Sequence, residues 1–156
     1  MLLQIWVYFG MNSQKLNKWD SRFLDLAQFI SNWSKDPSTK VGAVITDTNN
    51  RIISIGYNGF PQNISDNHRL NDRETKYKII VHGEMNAILF AGKPLTGYTL
   101  YTYPFMPCSR CASMVIQAGI KKVVSYNNMP ERWSQDFDIS LDLFRESNVE
   151  IVLYER

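Results

Sequence analysis

Ser109-Arg110-Cys111-Ala112-Ser113-Met114-Val115-Ile116-Gln117-Ala118, then Gly119, then Ile120-Lys121-Lys122-Val123-Val124-Ser125-Tyr126, is the stretch from which the architecture can be read. Ala112, Val115 and Ile116 recur at helical spacing, Gly119 stands where a helix C-cap favours glycine, and the β-branched run after it has strand character. The same alternation continues on both sides. Tyr98 to Thr102 reads as a strand, Ser134 to about Glu146 as a helix using Phe137, Leu141 and Phe144, and Val149 to Tyr154 as a last strand. Strand-helix-strand-helix-strand implies right-handed parallel crossovers. Upstream, Val41 to Ile45 and Arg51 to Tyr57 are two β-branched runs joined by Thr46-Asp47-Thr48-Asn49-Asn50, a hairpin signal. A hairpin beside three parallel strands predicts a mixed five-stranded sheet flanked by helices, a three-layer α/β/α fold.

Three further segments complete the chain. Trp19, Phe23, Leu26, Ala27, Ile30 and Trp33 predict an amphipathic helix over 19–34, ended by Asp36-Pro37. Glu84 to Ala91 reads as a helix offering Met85, Ile88 and Leu89 to the core, with Gly92 as cap and Pro94 beyond. Asn58 to about Lys78 is polar and without clear period, so it reads as a long functional or solvated loop.

At 156 residues, 44% apolar and 21% charged, one soluble globular domain is expected. A net charge of +2 gives no support to a nucleic-acid or membrane partner. Two cysteines three apart do not make a disulfide framework; they suit free thiols in a reducing cytoplasm. The apolar run Leu2, Leu3, Ile5, Trp6, Val7, Tyr8, Phe9 falls short of the roughly 20 residues of a membrane span and lacks the flanks of a signal peptide. Residues 1–18 therefore read as an extension of unknown role ahead of a domain at 19–156. An edge strand, an oligomer contact, a disordered tail and a true start at Met11 all stay open.

Chemistry concentrates in two runs, His82-Gly83-Glu84 and Pro107-Cys108-Ser109-Arg110-Cys111, each at a predicted helix start. Helix N-termini favour thiolates, the metal-binding form of cysteine. His82, Cys108 and Cys111 leave one of zinc's four positions open, the mark of a catalytic rather than a structural site. Zinc with such donors brings a water's pKa toward neutrality, and Glu84 is placed to carry protons rather than to be a fourth ligand. A structural zinc site would need another ligand, and only His68 remains, in the polar segment. The order H-x-E followed by P-C-x-x-C is the signature of zinc-dependent nucleobase deaminases. Tyr126, at the end of a parallel strand where open α/β sheets bind ligands, either stacks on a base or packs in the core.

From about Trp19 onward the chain resembles the deoxycytidylate deaminases of the cytidine deaminase superfamily. Beyond the zinc motifs the likeness rests on Asp36-Pro37-Ser38-Thr39-Lys40-Val41-Gly42-Ala43-Val44-Ile45, Gly56-Tyr57-Asn58-Gly59-Phe60-Pro61 and Lys76-Tyr77-Lys78. Gly83 departs from the alanine common there. The resemblance implies that Glu84 takes a proton from the attacking water and returns protons to N3 and the departing amine, so that dCMP becomes dUMP and ammonia. It places Asn58 against the sugar and the Gly83 N–H near the base O2. The 5′-phosphate calls for cationic donors, for which Arg69, Arg73, Lys76, Lys78 and Arg110 are candidates. It further implies a homohexamer activated by dCTP and inhibited by dTTP, with Mg2+ accompanying the effector and Gly56, Tyr57, Asn58 and Gly59 at the effector site. Two other readings stand beside it: a deaminase of another cytosine nucleotide, nucleoside or base in nucleic acid, and a zinc-stabilised binding module without catalysis.

Overall fold

The structure, a computed structural model, describes residues 15–156. The apolar run at 2–9 and the alternative start at Met11 lie outside the described residues. Helix α1 (Lys18–Ser31) opens on Asn17, whose side chain accepts from the Asp20 N–H at 2.8 Å. Strands β1 (Gly42–Thr46) and β2 (Ile52–Tyr57) form the expected hairpin. Helix α2 (Arg73–Ile79) follows, then α3 (Gly83–Ala91), β3 (Thr99–Tyr103), α4 (Ser109–Gln117), β4 (Lys122–Tyr126), α5 (Ser134–Glu146) and β5 (Glu150–Tyr154).

The sheet order is β2-β1-β3-β4-β5. β1 is antiparallel to both β2 and β3, whereas β3, β4 and β5 run parallel, so the sheet is mixed as the alternation predicts. Side-chain parity then sorts two cores. Ile45, Leu100, Val123 and Ile151 pack with Ala112, Val115, Phe137 and Phe144 of α4 and α5 on one face. Val44, Tyr101, Val124 and Val152 pack with Phe23, Leu24 and Ala27 of α1 on the other.

Two backbones approach so closely that only glycine fits. A Cβ on Gly42 would lie 1.9 Å from the Ala27 carbonyl oxygen of α1, and one on Gly56 would lie 2.3 Å from the Gly83 carbonyl oxygen of α3. Sheet and helices are thereby drawn together on both faces at the edge that carries the functional motifs.

Three expectations are corrected, and the alternative left open at Tyr126 is decided. Helix α1 ends at Ser31, not 34, because Ser34 leaves the helical path and its hydroxyl donates to the Asn58 carbonyl at 2.8 Å. The segment 58–78 is not structureless: it holds a short helical turn at His68–Leu70 and then α2, whose N-cap Asp72 accepts from the Thr75 hydroxyl at 2.7 Å. Leu89 faces outward, 66% exposed, while Met85 and Ile88 are half-buried. Tyr126 lies in the α1-side core.

Candidate metal centre and active site

Residues of α3 and α4 meet at their N-termini. His82 is the N-cap of α3 and Cys108 the N-cap of α4, and neither uses its side chain to cap its helix. Both side chains are thus released toward a common point. His82 Nδ1 lies 3.4 Å from Cys108 Sγ and 3.3 Å from Cys111 Sγ, and the three donor atoms fall within 4.8 Å of one another. A tetrahedral zinc with ordinary Zn–N and Zn–S lengths separates such donors by about 3.5 Å, so this donor set fits the ion. His68 is exposed in its helical turn and takes no part.

The donor groups shift one another's proton affinities. A hydrogen bond from the Cys111 thiol, helped by His82, pushes Cys108 down to about 4. The Cys108 thiolate in turn pushes Cys111 above the thiol range, with burial and Glu84 adding to the effect. The same thiolate raises His82 against the opposing effect of burial. Glu84 is 3% exposed, and its carboxyl is raised, first by that burial and then by the Cys108 charge.

One cavity of about 340 Å³ adjoins the centre, lined there by His82, Glu84 and Cys108. Phe105, Trp133 and Phe137 supply an aromatic wall, with ring centroids 5.2 and 5.5 Å from Phe105. Asp36, Ser38, Thr39, Asn58 and Lys76 supply a polar one. Asp136, in the first turn of α5, accepts from the Ser109 N–H at 2.8 Å and from its hydroxyl. It therefore caps α4 from another element and holds the cysteine-bearing turn in place.

Of the residues singled out in the sequence, His82, Glu84, Cys108, Asn58, Lys76 and Arg110 do converge on this cavity. Gly83 is the first residue of α3, where its N–H has no intrahelical acceptor. Tyr126 is not among the lining residues: its ring meets Tyr103 edge-on at 6.2 Å beneath Arg156. Arg69, Arg73 and Lys78 also lie elsewhere, over Phe60, over Tyr77 and paired with Glu74 respectively. Lys76 reaches the wall with its ammonium engaged by Asp36 at 2.9 Å and Ser38 at 3.1 Å. Gly56 packs on α3, the Tyr57 carbonyl accepts from Asn86, and Gly59 bridges Val81, so this run forms the outer support of the site. The aromatic wall and Asp136 were not visible in sequence. Their only local signal is a Trp-x-x-x-Phe spacing at 133–137, indistinguishable from ordinary core.

Residues 17–127 match the family described as the cytidine and deoxycytidylate deaminase zinc-binding region. The chain belongs to this family. It is 43% identical over 139 residues to an uncharacterised deaminase of Aliivibrio fischeri, covering 87% of this chain and 93% of the relative. It is 40% identical over 114 residues to the deoxycytidylate deaminase of Mus musculus, covering 69% of this chain but only 64% of the mouse protein. The dCMP deaminase of cyanophage S-TIM5, solved with dCMP and dUMP, superposes with a TM-score of 0.71 at 24% identity, over 92% of this chain and all of that one. That likeness shows that the two chains share one fold.

Proposed function

We propose that the chain is a zinc-dependent hydrolase that converts dCMP to dUMP and ammonia. The observation that carries the reading is the buried Glu84 carboxyl beside a three-donor centre, both opening on one nucleotide-sized cavity. The names of the mouse and cyanophage relatives favour a deoxycytidylate as the substrate.

His82, Cys108 and Cys111 would hold the ion, which supplies a Lewis acid that brings a water's pKa toward neutrality. Glu84 takes the proton of the water that adds to C4. It passes that proton to N3, then takes the proton of the C4 hydroxyl and delivers it to the amine, which leaves as ammonia as the C4–N bond breaks and the C4 carbonyl forms. Its raised affinity for a proton, set by burial, suits a group that must both accept and release one. The Gly83 N–H, free of an intrahelical acceptor, would donate to the base O2. Asn58, whose Oδ1 accepts only the Val41 N–H among the described residues, keeps a lone pair for a sugar hydroxyl. Arg110, exposed at the cavity and in no ion pair among the described residues, is the cation for the 5′-phosphate.

The reading extends to a cytoplasmic homo-oligomer, a hexamer, regulated by dCTP and dTTP with Mg2+. No helix among the described residues is long and apolar enough to cross a membrane. Exposed Phe29, Trp33 and Tyr57, each neighbouring pair T-shaped with centroids 6.0 Å apart, support a contact between copies.

An ultraviolet deamination assay across dCMP, CMP, deoxycytidine and dCTP tests the substrate, repeated with millimolar dCTP-Mg and dTTP-Mg for regulation. Glu84→Ala should keep its zinc and lose roughly 10²–10⁴ in rate, whereas Cys108→Ser and Cys111→Ser should lose zinc by elemental analysis. A Glu84→Ala protein that deaminates normally would sink the mechanism, and inactivity on all four substrates would sink the function.

A further inference from the structure

Among the described residues one ion pair is buried. Lys76 Nζ lies 2.9 Å from Asp36 Oδ1, with the two side chains 3% and 6% exposed, while the other pairs lie on the surface. The pair is the centre of a closed polar network. Asp36 Oδ1 also accepts from the Ser38 and Thr39 N–H groups at 2.8 and 3.3 Å, and Lys76 donates a second bond to Ser38 Oγ at 3.1 Å. Asn58 Nδ2 donates to the Thr39 carbonyl at 2.9 Å and approaches Asp36 Oδ2 at 3.4 Å, while Asn58 Oδ1 accepts from the Val41 N–H at 2.8 Å. Three segments far apart in the chain are joined here: the loop after α1, the end of β2, and α2. All three line the cavity.

We propose that Lys76 is a positioning residue which, through Asp36, fixes the Asp36–Val41 loop and the Asn58 carboxamide as the wall that seats the sugar of the substrate. With two of its three N–H bonds spent inside the wall, its ammonium is a rivet of the pocket rather than the free cation that meets the phosphate. Asn58 cannot turn toward a sugar hydroxyl in a defined direction unless Thr39, Val41 and Asp36 hold its amide, and the Asp36 carboxylate is itself held by the Lys76 ammonium at 2.9 Å. The inference rests on the nucleotide reading of the cavity, but the clamp itself can be tested apart from it.

The test uses the full zinc-loaded chain with Lys76→Met, Asp36→Asn and the double variant, each assayed on dCMP at equal zinc occupancy. Each single variant should raise KM about tenfold with kcat held within about threefold, and the double should be no worse than the worse single, because both remove one device. An unchanged KM in Lys76→Met overturns the proposal. So does a raised KM in Lys76→Met beside a normal Asp36→Asn, which would mean that Lys76 meets the phosphate directly. If Lys76→Met fails to fold, the isosteric Asp36→Asn carries the KM comparison. If the wild-type chain does not turn over dCMP, the functional reading fails alone. The clamp is then read from amide exchange at Ser38, Thr39 and Val41, where Asp36→Asn should cost at least about tenfold in protection, and unchanged exchange overturns it.

Discussion

Asp20 shows how one side chain ties layers together. It is 2% exposed on α1 and accepts the Tyr101 hydroxyl of β3 at 3.0 Å and the Tyr154 hydroxyl of β5 at 2.6 Å. Both phenols are pushed above the usual tyrosine range, first by burial and then by the Asp20 carboxylate. Their folded pKa values exceed the unfolded value of about 10, so this stability is fully present below pH 10 and is lost as pH rises beyond it. Denaturant unfolding from pH 8 to 11.5 should show stability falling by up to about 1.4 kcal/mol per pH unit for each phenol, and Tyr154→Phe should remove about half of that slope. At this scale the sequence was legible where partners are near neighbours. Cys108 and Cys111 share one helical turn, and Glu84 follows His82 by two residues. The bond from Lys76 to Asp36 spans 40 residues, and nothing local announces it. Tyr126 was left between base and core for a related reason: strand parity says that it shares a face with Val124, but not which face carries the cavity.

The elements depend on how closely they pack, and Gly56 tests this most sharply. A methyl group there would meet the Gly83 carbonyl oxygen at 2.3 Å and the Ala87 nitrogen at 2.4 Å, both backbone atoms of α3. Helix α3 must then lift from β2, taking His82 and Glu84 with it. Gly56→Ala should cost about 1–3 kcal/mol by denaturation and lower both zinc affinity and kcat/KM. Gly59→Ala is the control: apart from its own chain neighbours, no atom of the described residues lies within 4 Å of its added methyl, and its stability should stay within about 0.5 kcal/mol of wild type. Long elements were read from their periods, since α1 and α5 each show several turns of buried apolar residues. Helix α2 was missed because seven residues make barely two turns and its one buried side chain is a lysine. The Asp72–Thr75 cap was the only signal available, and its spacing also suits a plain turn.

Across the whole molecule, the mixed five-stranded sheet was legible because the alternation implies three parallel strands and the turn signal at 46–50 a hairpin, whereas the order β2-β1-β3-β4-β5 comes from the structure. What the sequence could not show is that the hairpin half and the parallel half, already paired along β1 and β3, also meet at three donor atoms carried by two helices. His82 enters on the helix packed against the hairpin, whereas the cysteines enter after β3, 26 and 29 residues later. A metal held by these three atoms is a cross-link as much as a reagent. It closes a loop of 26 residues as a disulfide would, and it removes chain entropy from the unfolded state worth about 3.5 kcal/mol. Stripping zinc with a chelator should therefore lower the denaturation midpoint as well as abolish turnover, and adding zinc back should restore both together. A midpoint that ignores the metal would show that the halves need no such tie. If they do need it, the supply of metal governs how long the chain survives as well as how fast it works.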